Sequence, residues 1–391
     1  MTGLKILSLL RRYWLLIKLN NSVVFYQTGT LDMQIEGSSF LKILRRALWD
    51  PKNKVMIPYA EFFPLMSIAE KQTVIGLVLD AIGGFNEADA PKNYLYEYIG
   101  LVESTKQDNW LINKEVSSFA KACSRYGIDC IVVKGQLLAQ LYPQPELRMS
   151  GDIDFLVKED YSTCRGVVER MMGVTLPEKL AEKEIAFNKG YYVYELHESL
   201  VDFGNKKNVQ YWNGIMDEVW KTPFYEMIND VEVRTLPPTI NAAYLFIHLF
   251  FHFIRGGIGL RQLCDWAIYL NHYKEEIDRK KLQDILVNLN LIKAYKVFGW
   301  ILVDKLGMPL SSFPMQLDDK ERRWEEGIMR IITDGGNFGR KNHKATNSFL
   351  FKAETLMMII KNCIKYYTLA PRELRAMVPY MIRVNWRLIK S

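Results

Sequence analysis

Between residues 128 and 203 the hydrophobic period of this chain changes, and that change limits the fold more than any other feature of the sequence. On either side, apolar residues recur at helical spacing. Phe40, Leu41, Ile43 and Leu44 precede Leu48 in this way, as do Val74, Leu77, Val78 and Leu79 before Ile82, where Gly83-Gly84 is expected to end the helix. Helices are also expected over 109–125, stopped at Tyr126-Gly127, over 240–255 and 260–273, and in further stretches to about 306 and from 318 to 332. Two basic helices are expected over 353–367 and 371–388, the second kinked at Pro379. In between lie short β-branched or aromatic runs, Ile128–Val133, Asp152–Val157 and Tyr191–Leu196, which read as strands, with Leu200–Phe203 as an extension of the sheet. A short helix follows Gly135 and another covers Tyr161–Met172. The expected architecture is α+β: a small mixed β-sheet core with flanking helices, embedded between N- and C-terminal helical regions. Its boundaries are placed at 1–105, 106–235 and 236–391.

With 49% hydrophobic and 24% charged residues over 391 positions, the chain buries a large core without staples. Disorder, collagen and coiled-coil arrays are thereby excluded as the main architecture. The five cysteines are scattered, odd in number and never spaced CxxC. They argue against a disulfide framework or a zinc ribbon and point to a reducing compartment, hence a cytoplasmic protein. The apolar stretch Leu4–Leu19 is broken by Arg11, Arg12 and Lys18. No apolar run approaches the ~20 residues that span a bilayer, and no small-residue cleavage site follows, so neither a transmembrane segment nor a signal peptide is expected. The net charge of +7 is concentrated at the ends, +6 in residues 350–391 and +4 in residues 1–50. Basic ends suit phosphate-rich partners, but also solvated helical faces. The apolar faces of the last helices (Leu356, Met357, Ile359 and Ile360; Met377, Ile382) suit packing on the core as well as a membrane surface.

The chemistry concentrates in Val133–Val157, VKGQLLAQLYPQPELRMSGDIDFLV. Asp152 and Asp154 are two apart on an expected strand, so their carboxylates share a face while Ile153 and Phe155 point into a core. Adjacent carboxylates repel, and a bound cation relieves the repulsion. Oxygen ligands in this arrangement suit Mg²⁺. Asp-x-Asp by itself equally describes an edge strand with two solvated aspartates. The neighbours shift that balance. Gly151 lets the backbone enter the strand tightly. Lys134-Gly135, with Lys134 18 residues before Asp152, lies at a strand-to-helix junction, a natural phosphate cradle. Arg148, in a proline-flanked loop, offers a guanidinium for phosphate oxygens. Neither GxxxxGK[ST] nor GxGxxG occurs around the block.

In these residues, KGxxLAxLYPxPxxRxxGDIDFLV, the chain resembles the bacterial "uncharacterised nucleotidyltransferase" family of the polymerase-beta-like nucleotidyltransferase superfamily. The likeness continues in Gln72–Ile82, His248–Ala267 and Gly335–Arg340 and takes in about three quarters of the chain. It implies a transferase that uses Mg²⁺, or alternatively Mn²⁺, and takes an NTP such as ATP as substrate. Asp152 and Asp154 would be catalytic metal ligands, with a third carboxylate supplied by a neighbouring strand. Glu195, in Val193-Tyr194-Glu195-Leu196 and 41 residues after Asp154, fits that slot. Lys134, Gly135, Arg148 and Gly151 would bind the nucleotide. A nucleoside monophosphate would pass to an acceptor hydroxyl with release of pyrophosphate. Where the broad superfamily carries Gly-Ser, this chain has Lys134-Gly135, the form shared by the narrower family.

His197 lies two after Glu195 and faces the same way on a strand. It would orient Glu195, meet the nucleotide or act as a base, or else serve as a structural histidine. His248 and His252 have the i, i+4 spacing of a zinc pair, but no glutamate lies between them and only Asp265 is a conceivable third ligand; a packed histidine pair is the better reading. Arg261 and Asp265, also i, i+4, suggest an internal pair, with nucleotide or acceptor binding left open. No strand precedes GGNFGR (Gly335–Arg340), which reads as a helix cap and turn. No GxSxG elbow is present. A small molecule or sugar is the favoured acceptor. A protein or an RNA end is the alternative, and a non-catalytic nucleotide-binding module is the third reading.

Overall fold

The computed structural model describes residues 39–87, 93–178, 184–336 and 348–390. The apolar stretch at 4–19 and most of the glycine-rich break at 334–340 lie outside the described residues. The first elements are α1 (Ser39–Trp49), β1 (Val55–Ile57), α2 (Tyr59–Lys71), α3 (Ile75–Ala81) and β2 (Ile82–Phe85). Gly83-Gly84 does not cap the helix as expected. Both glycines lie in β2, which pairs in parallel with β1. A Cβ on Gly83 would stand 2.7 Å from Lys54 Cβ, so the close strand approach accounts for that glycine.

Next come α4 (Asn93–Tyr126), β3 (Cys130–Val133), α5 (Gly135–Ala139), β4 (Ile153–Val157), α6 (Tyr161–Met172), β5 (Glu184–Lys189) and β6 (Tyr192–His197). Helix α4 has 34 residues and runs well upstream of the expected start at 109. Helix α6 covers the expected residues because both ends are chemically marked. Asp160 accepts a hydrogen bond from the Thr163 N–H at its start, and Gly173 ends it at φ 68°. The chain continues through α7 (Lys206–Lys221), the hairpin β7 (Phe224–Ile228) and β8 (Val231–Thr235), then α8 (Pro238–Arg255), α9 (Leu260–His272), α10 (Arg279–Asn288), α11 (Ile292–Asp304), α12 (Glu325–Gly335), α13 (Ser348–Lys365) and α14 (Pro371–Lys390). A 3₁₀ turn, Asp319–Trp324, takes the place of the first part of the helix expected from 318. Among the described residues no helix is long and apolar enough to cross a membrane. All five cysteines are buried and none forms a disulfide.

The central sheet is mixed, as expected, with strand order β3-β4-β6-β5. β3 and β4 are antiparallel, β4 and β6 parallel, and β5 and β6 antiparallel. Because side chains alternate along a strand, the sheet has two distinct faces. Ile153, Phe155 and Val157 of β4 join Tyr194 and Leu196 of β6 in a core built with Ile112, Val116 and Phe119 of α4 and with Cys164 and Val168 of α6. The Phe119 ring meets Phe155 at 4.8 Å and Tyr194 at 5.5 Å between centroids. The other face carries the polar residues of the same strands. The core thus fixes which residues the second face presents, since a one-residue slip would exchange the two sets.

Residues 200–203 are not a strand. They form a buried loop leading away from β6. Arg255 of α8 donates to the Asp202 carbonyl at 2.6 Å, and the Tyr380 hydroxyl donates to the Asp202 carboxylate at 2.6 Å. Glu373 of α14, fully buried, accepts from the Gly204 N–H at 2.5 Å and from Asn208 Nδ2 at 2.7 Å. A Cβ on Gly204 would lie 2.8 Å from the Met377 nitrogen, so helix and loop backbones touch. Side chains of α8 and α14, donors and an acceptor, thus hold the loop that sheet pairing was expected to hold. Glu373→Ala should remove the acceptor of the partly buried Gly204 N–H and one of the two acceptors of the buried Asn208 Nδ2, at about 1–3 kcal/mol in all. The urea midpoint should fall with its slope unchanged. A midpoint equal to the parent's would contradict this account of the loop.

Candidate active site

Parallel pairing of β4 and β6 sets Asp154 opposite Glu195 and Leu156 opposite His197. All these side chains except that of Leu156 carry polar atoms onto the face opposite the α4–α6 core. One ligand atom from each of Asp154, Glu195 and His197 lies within 4.8 Å of the others. Asp154 is buried and Glu195 partly exposed. Asp152 stands one residue before β4 rather than within it, and is not part of that close trio. It is nevertheless near enough to act on Glu195. Burial, the charges of Asp154 and Asp152 and a bond shared with Asp152 push the Glu195 carboxyl up to about 8.

Lys134 joins β3 to α5 at φ 57°, a conformation uncommon for a residue with a side chain. Gly135 follows at φ 45°, and a Cβ there would meet the Asp152 carbonyl at 3.4 Å. This tight turn brings the Lys-Gly junction against the Asp-x-Asp segment. Lys134 Nζ lies 2.8 Å from Asp154 Oδ1 and 3.3 Å from His248 Nε2. Backbone strain of this kind gathers at functional sites.

His197 Nε2 is 2.9 Å from Asp154 Oδ1 and 3.8 Å from Glu195 Oε2. Its Nδ1 is 3.1 Å from Glu184 Oε2 on the neighbouring strand β5. Burial acts against the imidazolium, but the bonds to Asp154 and Glu184 outweigh it and lift His197 to about 9. Burial likewise opposes the Asp154 charge. The Lys134 ammonium and the His197 bond prevail and hold that carboxyl well below the usual range. Four carboxylates, Asp152, Asp154, Glu184 and Glu195, thus gather around two cations, Lys134 and His197. When all are ionised, an excess of two negative charges remains.

Arg148 and Gly151 occupy the loop before β4. Arg148 is buried, and its Nε and Nη2 bond the two oxygens of Asp265 at 2.7 and 2.8 Å. The Tyr142 hydroxyl donates to the same carboxylate at 2.7 Å. Asn109 of α4 supports the loop from below, donating to the Glu146 and Arg148 carbonyls at 2.8 Å each. Asp265 therefore pairs with Arg148, not with Arg261 one turn away as the i, i+4 spacing suggested. Arg261 instead donates to the Met149 carbonyl at 3.0 Å and lies against Gly151. His248 and His252 pack against each other with ring centroids 4.3 Å apart and planes tilted by 56°. Burial, with the Lys134 charge, pulls His248 well down and His252 to about 4. Among the described residues no metal-type cluster includes them.

The structure therefore draws Asp152, Asp154, Glu195, His197, Lys134 and Gly135 together, sets Gly151 beside them and turns Arg148 inward. Glu184, the carboxylate on His197 Nδ1, was missed. Its signal was the alternation of EIAFNK, apolar at Ile185 and Phe187, which marks an edge strand.

A family model described as "Uncharacterised nucleotidyltransferase" matches residues 61–304. Among solved structures, the crystal structure of an antigenic nucleotidyltransferase-like protein from Paracoccidioides brasiliensis is similar at 12% identity. That likeness covers 51% of this chain and 93% of that one, with a TM-score of 0.28. No curated protein matches.

Proposed function

Because the chain belongs to the uncharacterised nucleotidyltransferase family, we propose that it transfers a nucleoside monophosphate from an NTP to an acceptor hydroxyl, a small molecule or sugar in the first instance. The acceptor oxygen forms a bond to the α-phosphorus and the α–β bridging P–O bond breaks. Pyrophosphate leaves with the electron pair and the hydroxyl proton passes to solvent. The observation that carries this reading is the convergence of Asp154, Glu195 and His197 atoms within 4.8 Å on one face of the sheet.

The donor set fits a divalent cation. Hard carboxylate oxygens suit Mg²⁺ and also Mn²⁺. Ionisation of Glu195 on metal binding would leave a local excess of two negative charges, the charge of one such ion. Asp154 and Glu195, with Asp152 at the strand entrance, would hold it. Once bound, a divalent ion supplies Lewis acidity and charge neutralisation toward phosphate oxygens. The chain's own residues do the rest. Asp154 and Glu195 are set by strand register. His197, fixed through Nδ1 by Glu184, orients the two carboxylates it faces. Lys134 supplies positive charge beside Asp154, and the Gly135 turn lets backbone approach closely.

Calorimetric titration with a non-hydrolysable NTP analogue tests this reading. Binding should require Mg²⁺ or Mn²⁺, and Glu195→Gln should weaken it by at least about tenfold, the scale on which metal-site residues act. Binding that ignores the metal, or is absent with it, would overturn the proposal.

A further inference from the structure

We infer that Arg261, rather than Arg148, grips the triphosphate of the bound nucleotide at the mouth of the site. The inference rests on the nucleotidyl-transfer reading above. Two arginines converge on the loop 148–152, and the structure treats them differently. The Arg148 fork is filled by both oxygens of Asp265, and the pair is buried. Its charge is neutralised and its donors are committed. Arg261, in the first turn of α9, has a partly exposed side chain. Its one hydrogen bond among the described residues runs from Nη1 to a neutral acceptor, the Met149 carbonyl. No carboxylate of the described residues stands within ion-pair distance of it, and its buried Nε has no partner.

Its position suits a ligand. A Cβ built on Gly151 would lie 3.8 Å from Nη1 and 3.9 Å from Nη2. The guanidinium therefore lies over Gly151, which is exposed and directly precedes Asp152. Any side chain at 151 would begin in contact with the guanidinium, and glycine leaves that approach open. Burial and the Arg148 charge both work against the Arg261 charge, and Asp265 and Asp152 relieve this only in part. A cation in that state gains from an incoming anion. The planar fork matches adjacent phosphate oxygens, to which a guanidinium without a carboxylate partner is able to donate. The chemical class is a polyphosphate, with the β- and γ-phosphates that become pyrophosphate as the part recognised.

The test compares a non-hydrolysable NTP analogue with the matching NMP, each titrated with Mg²⁺ into the parent, Arg261→Gln and Arg261→Lys. Arg261→Gln should weaken the triphosphate about 10- to 100-fold, the worth of a charged hydrogen bond, and leave the monophosphate unchanged. Arg261→Lys keeps charge without the fork and should fall between. If Arg261→Gln does not fold, the lysine variant carries the same comparison. Equal losses for both ligands would assign Arg261 to holding the Met149 loop, and no loss for either would remove it from the site; both overturn the inference while nucleotidyl transfer stands. Failure of the parent itself to bind the triphosphate with metal would overturn the functional reading and this inference with it.

Discussion

Asp154→Asn should reduce kcat for nucleotidyl transfer by at least ~10³-fold. A bound cation contributes several kcal/mol of transition-state stabilisation, and each ~1.4 kcal/mol is a factor of ten. Asp154 is the residue on which the site turns. It is the buried member of the carboxylate set, and both Lys134 and His197 rest on its Oδ1, at 2.8 and 2.9 Å. For that reason the variant should also lose stability, by about 3–5 kcal/mol, because it leaves a buried ammonium without its counter-charge. The two effects separate in the double variant Lys134→Met/Asp154→Asn. Removing the cation along with the anion should restore much of the stability and none of the activity. A single variant that stays active, or a double variant that regains activity with its fold, would show that Asp154 is a structural partner of Lys134 alone.

Asp265→Ala should destabilise the protein by about 3–5 kcal/mol, measured by urea unfolding, since it strands the buried Arg148 guanidinium. It also removes the acceptor of the Tyr142 hydroxyl. Activity should fall in folded material too, because the Arg148 loop delivers Gly151 and Asp152 to the site. Replacing both partners by apolar residues, as Arg148→Met/Asp265→Leu, should recover most of the lost stability, since a hydrophobic pair avoids the desolvation that the ion pair has to offset. The resulting coupling between the two positions should exceed about 1 kcal/mol, as expected for residues in direct contact. A single variant within error of the parent would mean that this pair contributes nothing to the fold.

The elements that positioned the site were legible where side-chain alternation had one buried and one polar face. DIDFLV announced both faces of β4, and YYVYEL announced β6. Their register, and hence the pairing of Asp154 with Glu195, was not written in either segment alone. It follows from the shared core of Phe155, Tyr194 and Leu196. Strand β5 was hidden because it is an edge strand whose exposed row, Glu184, Ala186 and Asn188, holds no β-branched or aromatic residue. The hairpin of β7 and β8 fell outside the expected strands because FYEMI does not alternate; its marks were the alternation of VEVRT and the turn at Asn229-Asp230, both with positive φ. The Leu200–Phe203 run carried a strand's composition without a strand's partners; Arg255 of α8 meets the Asp202 carbonyl, and α14 holds the Asp202 side chain and the Gly204 N–H that follows. Among the site residues, the carboxylates and Lys134 announced themselves by spacing. The division of labour between Arg148 and Arg261 did not. Both are arginines near the same loop, and which one Asp265 neutralises depends on a contact 117 residues apart in sequence.

Transfer of a nucleoside monophosphate at the Asp154–Glu195 centre is open to direct test. The most direct measurement is incubation of the chain with each α-³²P-labelled NTP, Mg²⁺ or Mn²⁺ and a host-cell extract, with Asp154→Asn alongside and pyrophosphate followed in parallel. Label should appear on an acceptor together with pyrophosphate release, dependent on the metal and absent with the variant. Recovery of that label in a small-molecule, protein or RNA fraction identifies the acceptor class. Folded parent protein that releases no pyrophosphate and labels nothing with any NTP would contradict the account, as would labelling that persists in Asp154→Asn.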